Sequence, residues 1–356
     1  MEVDYNKLCD KIYEEIYEQL ERKEDERLRF ARIGTAKSVL RDEYLRLLIR
    51  SLVQPDDTAE EQFGVTEEDL IARIKQRDLY NFLAILIFAT CRIEAARTFI
   101  TKLVACTPWE GGEEALSKLP ASRAALEELF GSVVTADTFF KNQACFCAVV
   151  LRKGEEVNIK DPSTQRLPFL EEKPVNEGSF GQVSRVVVAR GHFYDPIAAL
   201  GGFECNTKDL PMARKNYLIS NKFPRAGQKE REIMEKILGS ARQGLRCENI
   251  VDNWGSLEIE PNTYSLFMPY ATCDLRAYMM EHHDKRPTTD EGKAEMIDCA
   301  AGLAAGLNFL HHDMRTPDDE AMVCYHMDLK PNNVLIFHDT GRPIWKLSDF
   351  GMARVK

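Results

Sequence analysis

The sequence predicts an α+β chain, with a helical region over residues 1–155 followed by a strand-bearing part over residues 165–356. Two textures predict it. Before residue 150 apolar residues recur every three or four positions, and after Pro168 short β-branched runs are bracketed by glycines. Charged and turn-forming residues gather around residues 155–168, which sets the expected boundary.

In the first part Leu8, Ile12, Ile16 and Leu20 form one apolar stripe, with Glu14, Glu15, Glu18 and Glu21 on the other faces. Leu40, Tyr44, Leu47 and Leu48 repeat the pattern. Gln54 to Gly64 reads as an acidic loop. Thr66 with Asp69 resembles a capping box opening one helix from Leu70 to Leu86. Pro108 to Gly112 and Pro120 mark further breaks. The region contains no histidine and no catalytic constellation. It reads equally as a helical extension and as a docking or regulatory module.

Net charge is -10, which argues against a general affinity for nucleic-acid phosphates or anionic membranes. Neither a nucleic acid nor a membrane is therefore an expected partner. None of the ten cysteines stands in a CxxC pair, and Cys145 with Cys147 lacks zinc-site spacing. Buried free thiols are expected instead. The start of the chain carries charges throughout, and the apolar run Phe82 to Ala89 is too short to span a bilayer. The expected setting is cytoplasmic or nuclear.

In the second part Val183 to Ala189, Leu210 to Leu218 and Tyr264 to Tyr270 read as strands. Between two strands lies Glu177-Gly178-Ser179-Phe180-Gly181-Gln182-Val183, whose glycines let backbone N–H groups approach phosphate oxygens. Val334 to Phe337, a turn at His338 to Pro343, and Ile344 to Leu347 read as a hairpin. A hairpin brings its outer ends together, so Asn333 and Asp349 should emerge side by side.

This order of motifs resembles the nucleotide-binding half of a eukaryotic protein kinase of the Ser/Thr type. The residues that carry the likeness are the glycine loop, Met212-Ala213-Arg214-Lys215, Tyr325-His326-Met327-Asp328-Leu329-Lys330-Pro331-Asn332-Asn333 and Asp349-Phe350-Gly351. It covers a little over half of the chain. The resemblance implies a five-stranded N-terminal lobe with one packed helix, a partial helical C-terminal lobe, and ATP and Mg²⁺ as cofactors.

The resemblance also assigns roles. Gly178, Ser179, Phe180, Gly181 and Val183 would cover the phosphates. Lys215 would pair with the α/β-phosphates and with a glutamate of the helix expected at Gln228 to Leu238, either Glu230 or Glu232. Glu230 is preferred because Ile233, Met234 and Ile237 follow it at the spacing of a buried face. Met268 would stand at the back of the adenine site, with Pro269, Tyr270 and Ala271 as hinge and Asp274 near the ribose. Asp328 would take the substrate hydroxyl's proton and Lys330 would neutralise the transferring phosphoryl. Asn333 and Asp349 would hold the metal. The partner implied is a protein substrate that the sequence does not identify.

Several departures from the family pattern stand out. Asn176 replaces the first glycine of the loop, and Met327 replaces the arginine that commonly reads a phosphorylated activation loop. His311 to Cys324 and Arg190 to Asp209 read as exposed insertions. The chain ends at Lys356, before any activation segment, APE motif or later helix. Without these elements, apolar surface is expected to lie exposed on the helix Glu295 to Leu310 and on the hairpin. The family function is phosphoryl transfer from ATP to a protein hydroxyl, whereas the isolated chain is expected to be inactive. The alternative is an ATP-binding pseudokinase or scaffold.

Overall fold

The computed structural model describes residues 4–106, 118–178, 181–196, 205–218, 225–241, 247–261, 263–281, 287–338 and 341–356. The break expected at Pro108 to Gly112 lies outside them. Two units divide the chain: residues 1–150 with 161–170 and 189–192, and residues 151–160 with 171–188 and 193–356. The chain alternates between units before residue 193, so no single cut near 155–168 separates them.

The first unit is built from helices α1 (Tyr5–Glu18), α2 (Thr35–Val39), α3 (Asp42–Leu52), α4 (Ala59–Phe63), α5 (Glu67–Gln76), α6 (Tyr80–Phe88), α7 (Ile93–Phe99), α8 (Arg123–Phe130) and α9 (Val133–Gln143). Asp4 caps α1, its carboxylate accepting from the amides of Asn6 and Lys7 at 3.0 and 3.3 Å. The stripe Leu8, Ile12, Ile16 and Leu20 is buried as expected. At the centre lies α6, in which Phe82 to Phe88 are all buried. Phe82 stacks on Phe99 with centroids 5.0 Å apart and meets Phe139 at 4.5 Å. Each such side chain contributes about 1.5–3 kcal/mol by leaving water.

Two expectations for this unit are corrected. The single helix expected from Leu70 to Leu86 is broken at 77–79, where Asp78 takes a left-handed φ of 51°. The break lets amphipathic α5 keep a solvated face while α6 turns wholly inward. The stretch read as an acidic loop contains α4, which carries a full capping box: the Glu61 amide donates to Thr58 Oγ1 at 3.2 Å and the Thr58 amide to Glu61 Oε2 at 2.8 Å. At Thr66 only half of that device forms, because Asp69 accepts from the Thr66 hydroxyl at 2.8 Å. Cys145 and Cys147 are buried, and burial pushes each thiol up to about 12.

The second unit holds a mixed sheet, six-stranded among the described residues. Its strands are β2 (Glu156–Ile159), β3 (Phe169–Gly178), β4 (Gly181–Val188), β6 (Leu210–Leu218), β7 (Gly255–Ile259) and β8 (Thr263–Pro269), in the order β2-β7-β8-β6-β4-β3. Five strands were expected. The sixth, β2, comes from the stretch read as a boundary and pairs in parallel with β7, covering what would be an open edge. Gly255, at φ 113°, makes room for the turn that leads into it: a Cβ there would stand 2.4 Å from the Arg152 carbonyl oxygen and 3.0 Å from that of Glu155. Just before β2, β1 (Leu151–Arg152) pairs with β5 (Phe193–Tyr194). Part of the insertion expected at Arg190 to Asp209 is therefore ordered strand.

Helix α10 (Ala226–Ala241) spans the segment expected at Gln228 to Leu238 and buries Ile233, Met234 and Ile237. Beyond the sheet come β9 (Cys273–Asp274), α11 (Leu275–Glu281), α12 (Asp290–Asn308), β10 (Cys324–Tyr325), β11 (Val334–Phe337), β12 (Ile344–Leu347) and β13 (Arg354–Val355). The hairpin β11–β12 has the expected bounds, with Val334 facing Leu347. The apolar surface expected to lie exposed on it does not: Val334, Ile336, Phe337, Trp345 and Leu347 are buried, and Leu335 and Ile344 half-buried. The insertion expected at His311 to Cys324 exposes Asp318 to Glu320, but Met314 and Cys324 at its base are fully buried. On α12, Ile297 is 68% exposed and Ala300, Ala301, Ala304 and Ala305 are exposed with it.

In the first unit His192 is buried with both ring nitrogens engaged. The Ile33 amide donates to Nε2 at 3.2 Å, which assigns the proton to Nδ1, 3.0 Å from the Val149 carbonyl. Burial holds its pKa below the ordinary histidine value, against the opposing Val149 hydrogen bond. The folded state therefore binds this proton more weakly than the unfolded state. Stability from the neutral ring is complete above about pH 6.5 and is lost as pH falls, by at most about 1.4 kcal/mol per pH unit. A thermal-unfolding series should show the midpoint of this unit falling from pH 7 to pH 5. His192→Gln should flatten that decline.

Candidate active site

Strand alternation on β6 sends Ala213, Lys215 and Tyr217 to one face and Met212 and Arg214 to the other. Both basic residues are buried. Arg214 is partnered by Ser265 Oγ at 3.1 Å and by Glu172 at 3.1 Å. Lys215 Nζ lies 2.7 Å from Glu230 Oε2 and 2.8 Å from Asp349 Oδ1. Glu232 is exposed, so the choice left open by the sequence falls on Glu230. Burial pulls the Lys215 ammonium down, but the Glu230 and Asp349 carboxylates outweigh it, and its pKa stands above the ordinary lysine value. One ammonium against two carboxylates leaves an excess negative charge, a setting that favours a further cation.

Asp349 reaches Lys215 from the far end of the hairpin. Its φ of 61° is left-handed, as is that of Met327 at 66°. Such angles are uncommon away from glycine and need support from the surroundings. The support is visible. The Ser348 amide and hydroxyl donate to the Asn333 carbonyl at 2.9 and 3.0 Å. His326 Nε2 lies 2.8 Å from the Ser348 carbonyl, and the Asp328 amide donates to His326 Nδ1 at 3.3 Å. Gly351 packs close to Glu230, since a Cβ there would stand 3.0 Å from Glu230 Oε2.

Asp328 lies beside these groups. Lys330 Nζ is 2.7 Å and Asn333 Nδ2 3.0 Å from its Oδ2, and Asn333 Nδ2 also donates to the Asp328 carbonyl at 2.8 Å. The Lys330 ammonium, helped by Asn333 against some desolvation, holds the Asp328 carboxyl below its ordinary range. Asn333 spends its amide nitrogen on Asp328, so Oδ1 is the atom that would meet a cation. Asn333 and Asp349 thus offer the hard oxygen atoms that suit Mg²⁺. No cluster of three or more His, Cys, Asp or Glu fit to hold a metal occurs among the described residues.

The remaining expected residues fall around this centre. Gly178 ends β3 and Gly181 begins β4, while Ser179 and Phe180 lie outside the described residues. At Gly181 a Cβ would stand 2.0 Å from the Asn216 carbonyl oxygen, so sheet packing alone demands glycine there. Val183 pairs with Lys215, and Met268 pairs with Ala213. Tyr270 is exposed with Arg185 over its ring, and the segment passes through Ala271 to Thr272, whose amide donates to the Ile336 carbonyl. Asp274 commits Oδ1 to the Ala277 amide at 2.7 Å, capping α11.

The protein kinase domain family model matches residues 208–356. Residues 208–356 belong to the protein kinase superfamily. This kinase segment has relatives among plant receptor-like kinases. A G-type lectin S-receptor-like serine/threonine-protein kinase of Arabidopsis thaliana is 27% identical over 155 residues, 44% of this chain and 18% of the relative. A putative cysteine-rich receptor-like protein kinase of the same plant is 26% identical over 187 residues, 45% of this chain and 25% of the relative. The chain spans a quarter or less of the length of these kinases. No helix among the described residues is long and apolar enough to cross a membrane.

Tyr217, His326 and Ser348 escaped the sequence reading as site residues. His326 stood inside the quoted motif, but nothing local marked it as the tie to the hairpin. Tyr217 was legible only as a strand residue two positions past Lys215. The geometry separates the two glutamates sharply. Glu230→Gln should destabilise the second unit by about 2–4 kcal/mol in urea unfolding, because it leaves Lys215 a single carboxylate. Glu232→Gln should stay within about 0.5 kcal/mol.

Proposed function

We propose that the second unit binds Mg-ATP and transfers the γ-phosphoryl group to a serine or threonine hydroxyl of a protein substrate. The observation that carries this is the meeting of Lys215, Glu230 and Asp349, with Asp328 and Asn333 on the adjoining loop. Lys215 would engage the α/β-phosphates while Glu230 holds its ammonium in place. Asn333 and Asp349 would hold Mg²⁺, which, when bound, neutralises phosphate charge. Asp328, kept ionised by Lys330, would orient the hydroxyl and accept its proton. Lys330, two positions beyond Asp328, supports the Ser/Thr over the tyrosine type. Gly178 to Val183 would cover the phosphates, Met268 to Ala271 would border the adenine, and Asp274 would lie near the ribose.

A second reading keeps nucleotide binding and omits transfer, with the protein serving as a scaffold. The exposed apolar face of α12 at Ile297 supports that reading.

Mg-ATP at about 100 times its dissociation constant should stabilise the protein by about 2.7 kcal/mol in a thermal-shift titration. Mg²⁺ alone should do little, since two protein oxygens need the phosphates to complete a site. Absence of any shift at millimolar Mg-ATP would contradict both readings. Asp328→Asn should preserve the shift and abolish labelling of acceptor proteins by γ-labelled ATP. Labelling that survives the substitution removes Asp328 as the base, and binding without labelling in the unsubstituted protein selects the scaffold.

A further inference from the structure

The nucleotide reading leaves two features of the second unit unused: the buried hydroxyl of Tyr217, and the strand β2 that precedes the kinase-matched residues. Tyr217 shares the face of Lys215 on β6, and its hydroxyl donates to Glu230 Oε2, the oxygen that also receives Lys215 Nζ. Burial, reinforced by the Glu230 carboxylate, pushes the phenol well above its ordinary value, so it remains a donor. The start of α10 rests directly on two rings. A Cβ at Gly227 would stand 2.3 Å from Tyr264 Cδ1 and 2.9 Å from Tyr217 Cδ2.

The residue after Glu230 makes an ion pair with β2 rather than a hydrogen bond. Arg231 Nε lies 3.4 Å from Glu156 Oε2, and the same oxygen accepts from the Tyr264 hydroxyl at 2.9 Å. Glu156 belongs to β2, and the segment carrying it is firmly seated. Lys153 pairs with Asp195 at 3.1 Å and Asp252 at 3.3 Å, and Arg152 occupies the space left by Gly255.

We propose that Tyr217 and Glu156 are positioning residues that hold α10 against the sheet so that Glu230 meets Lys215. This deepens the nucleotide reading and rests on it. Glu230 is 2% exposed and takes two donors on one oxygen. Loss of the Tyr217 donor leaves a buried carboxylate short of a partner, and α10 then yields outward to hydrate it. Lys215 is left to Asp349 alone, which draws a metal ligand away from the nucleotide. Residues 151–159 thereby become part of the control of the nucleotide site.

The test compares the full chain with Tyr217→Phe and Glu156→Gln by Mg-ATP titration calorimetry and by amide hydrogen exchange over residues 228–238. Tyr217→Phe should weaken Mg-ATP about tenfold, the size expected for losing a hydrogen bond to a charged group. Exchange over 228–238 should quicken in both variants, by less in Glu156→Gln, with exchange in α6 unchanged. Unaltered affinity and exchange in Tyr217→Phe would overturn the proposal. If the unsubstituted protein binds no Mg-ATP, the nucleotide reading fails, and exchange alone decides whether α10 is held as described. Should Tyr217→Phe fail to fold, Glu156→Gln decides, and unchanged exchange over 228–238 in that variant overturns the proposal.

Discussion

A lysine ammonium with 9% of its side chain exposed is the constraint on which the second unit depends. Such a charge is tolerated only where opposite charges replace the water it has lost. Its two carboxylates come from elements distant in sequence, Glu230 on α10 and Asp349 beyond the hairpin. The sheet, the helix and the hairpin are therefore pinned at one atom. Removing either partner leaves a buried charge short of compensation, which links local chemistry to the integrity of the whole unit.

The backbone around that atom is arranged to serve it. Asp349 and Met327 hold left-handed angles, and the Ser348, His326 and Asn333 hydrogen bonds between them keep those angles in place. The hairpin supplies the reach. Pairing Val334 with Leu347 brings both chain ends to the same side, so Asn333 and Asp349 emerge at the same end of the hairpin. Phe350 seals this arrangement from below, fully buried with its ring 4.8 Å from that of His326. The first unit follows a different logic, with helices gathered around the wholly apolar α6.

Much of this was legible in the sequence. The strands at Leu210 to Leu218 and in the hairpin were read with their observed bounds, because alternation and turn residues are local signals. Glu230 was preferred over Glu232 from the apolar spacing of α10, and its burial agrees. The mistakes arose where tertiary partners decide. Glu156–Ile159 is polar and short, and it becomes a strand only because β7 offers an edge and Gly255 a space. The Thr58-x-x-Glu61 box was a local signal that the acidic composition around it masked. The break between α5 and α6 carries neither proline nor glycine; what forces it is the need to bury α6 on every side. Tyr217 could not be assigned a partner before the helix was docked.

The account stands on the coupling between Lys215 and its partners, and a double-mutant cycle on Lys215→Met and Glu230→Leu measures it most directly. Unfolding free energies of the two single variants and the double variant should give a coupling of about 2 kcal/mol, since either substitution alone leaves the other buried charge short of a partner and both together do not. A coupling near zero would mean that the two side chains do not meet in solution, and would contradict the account.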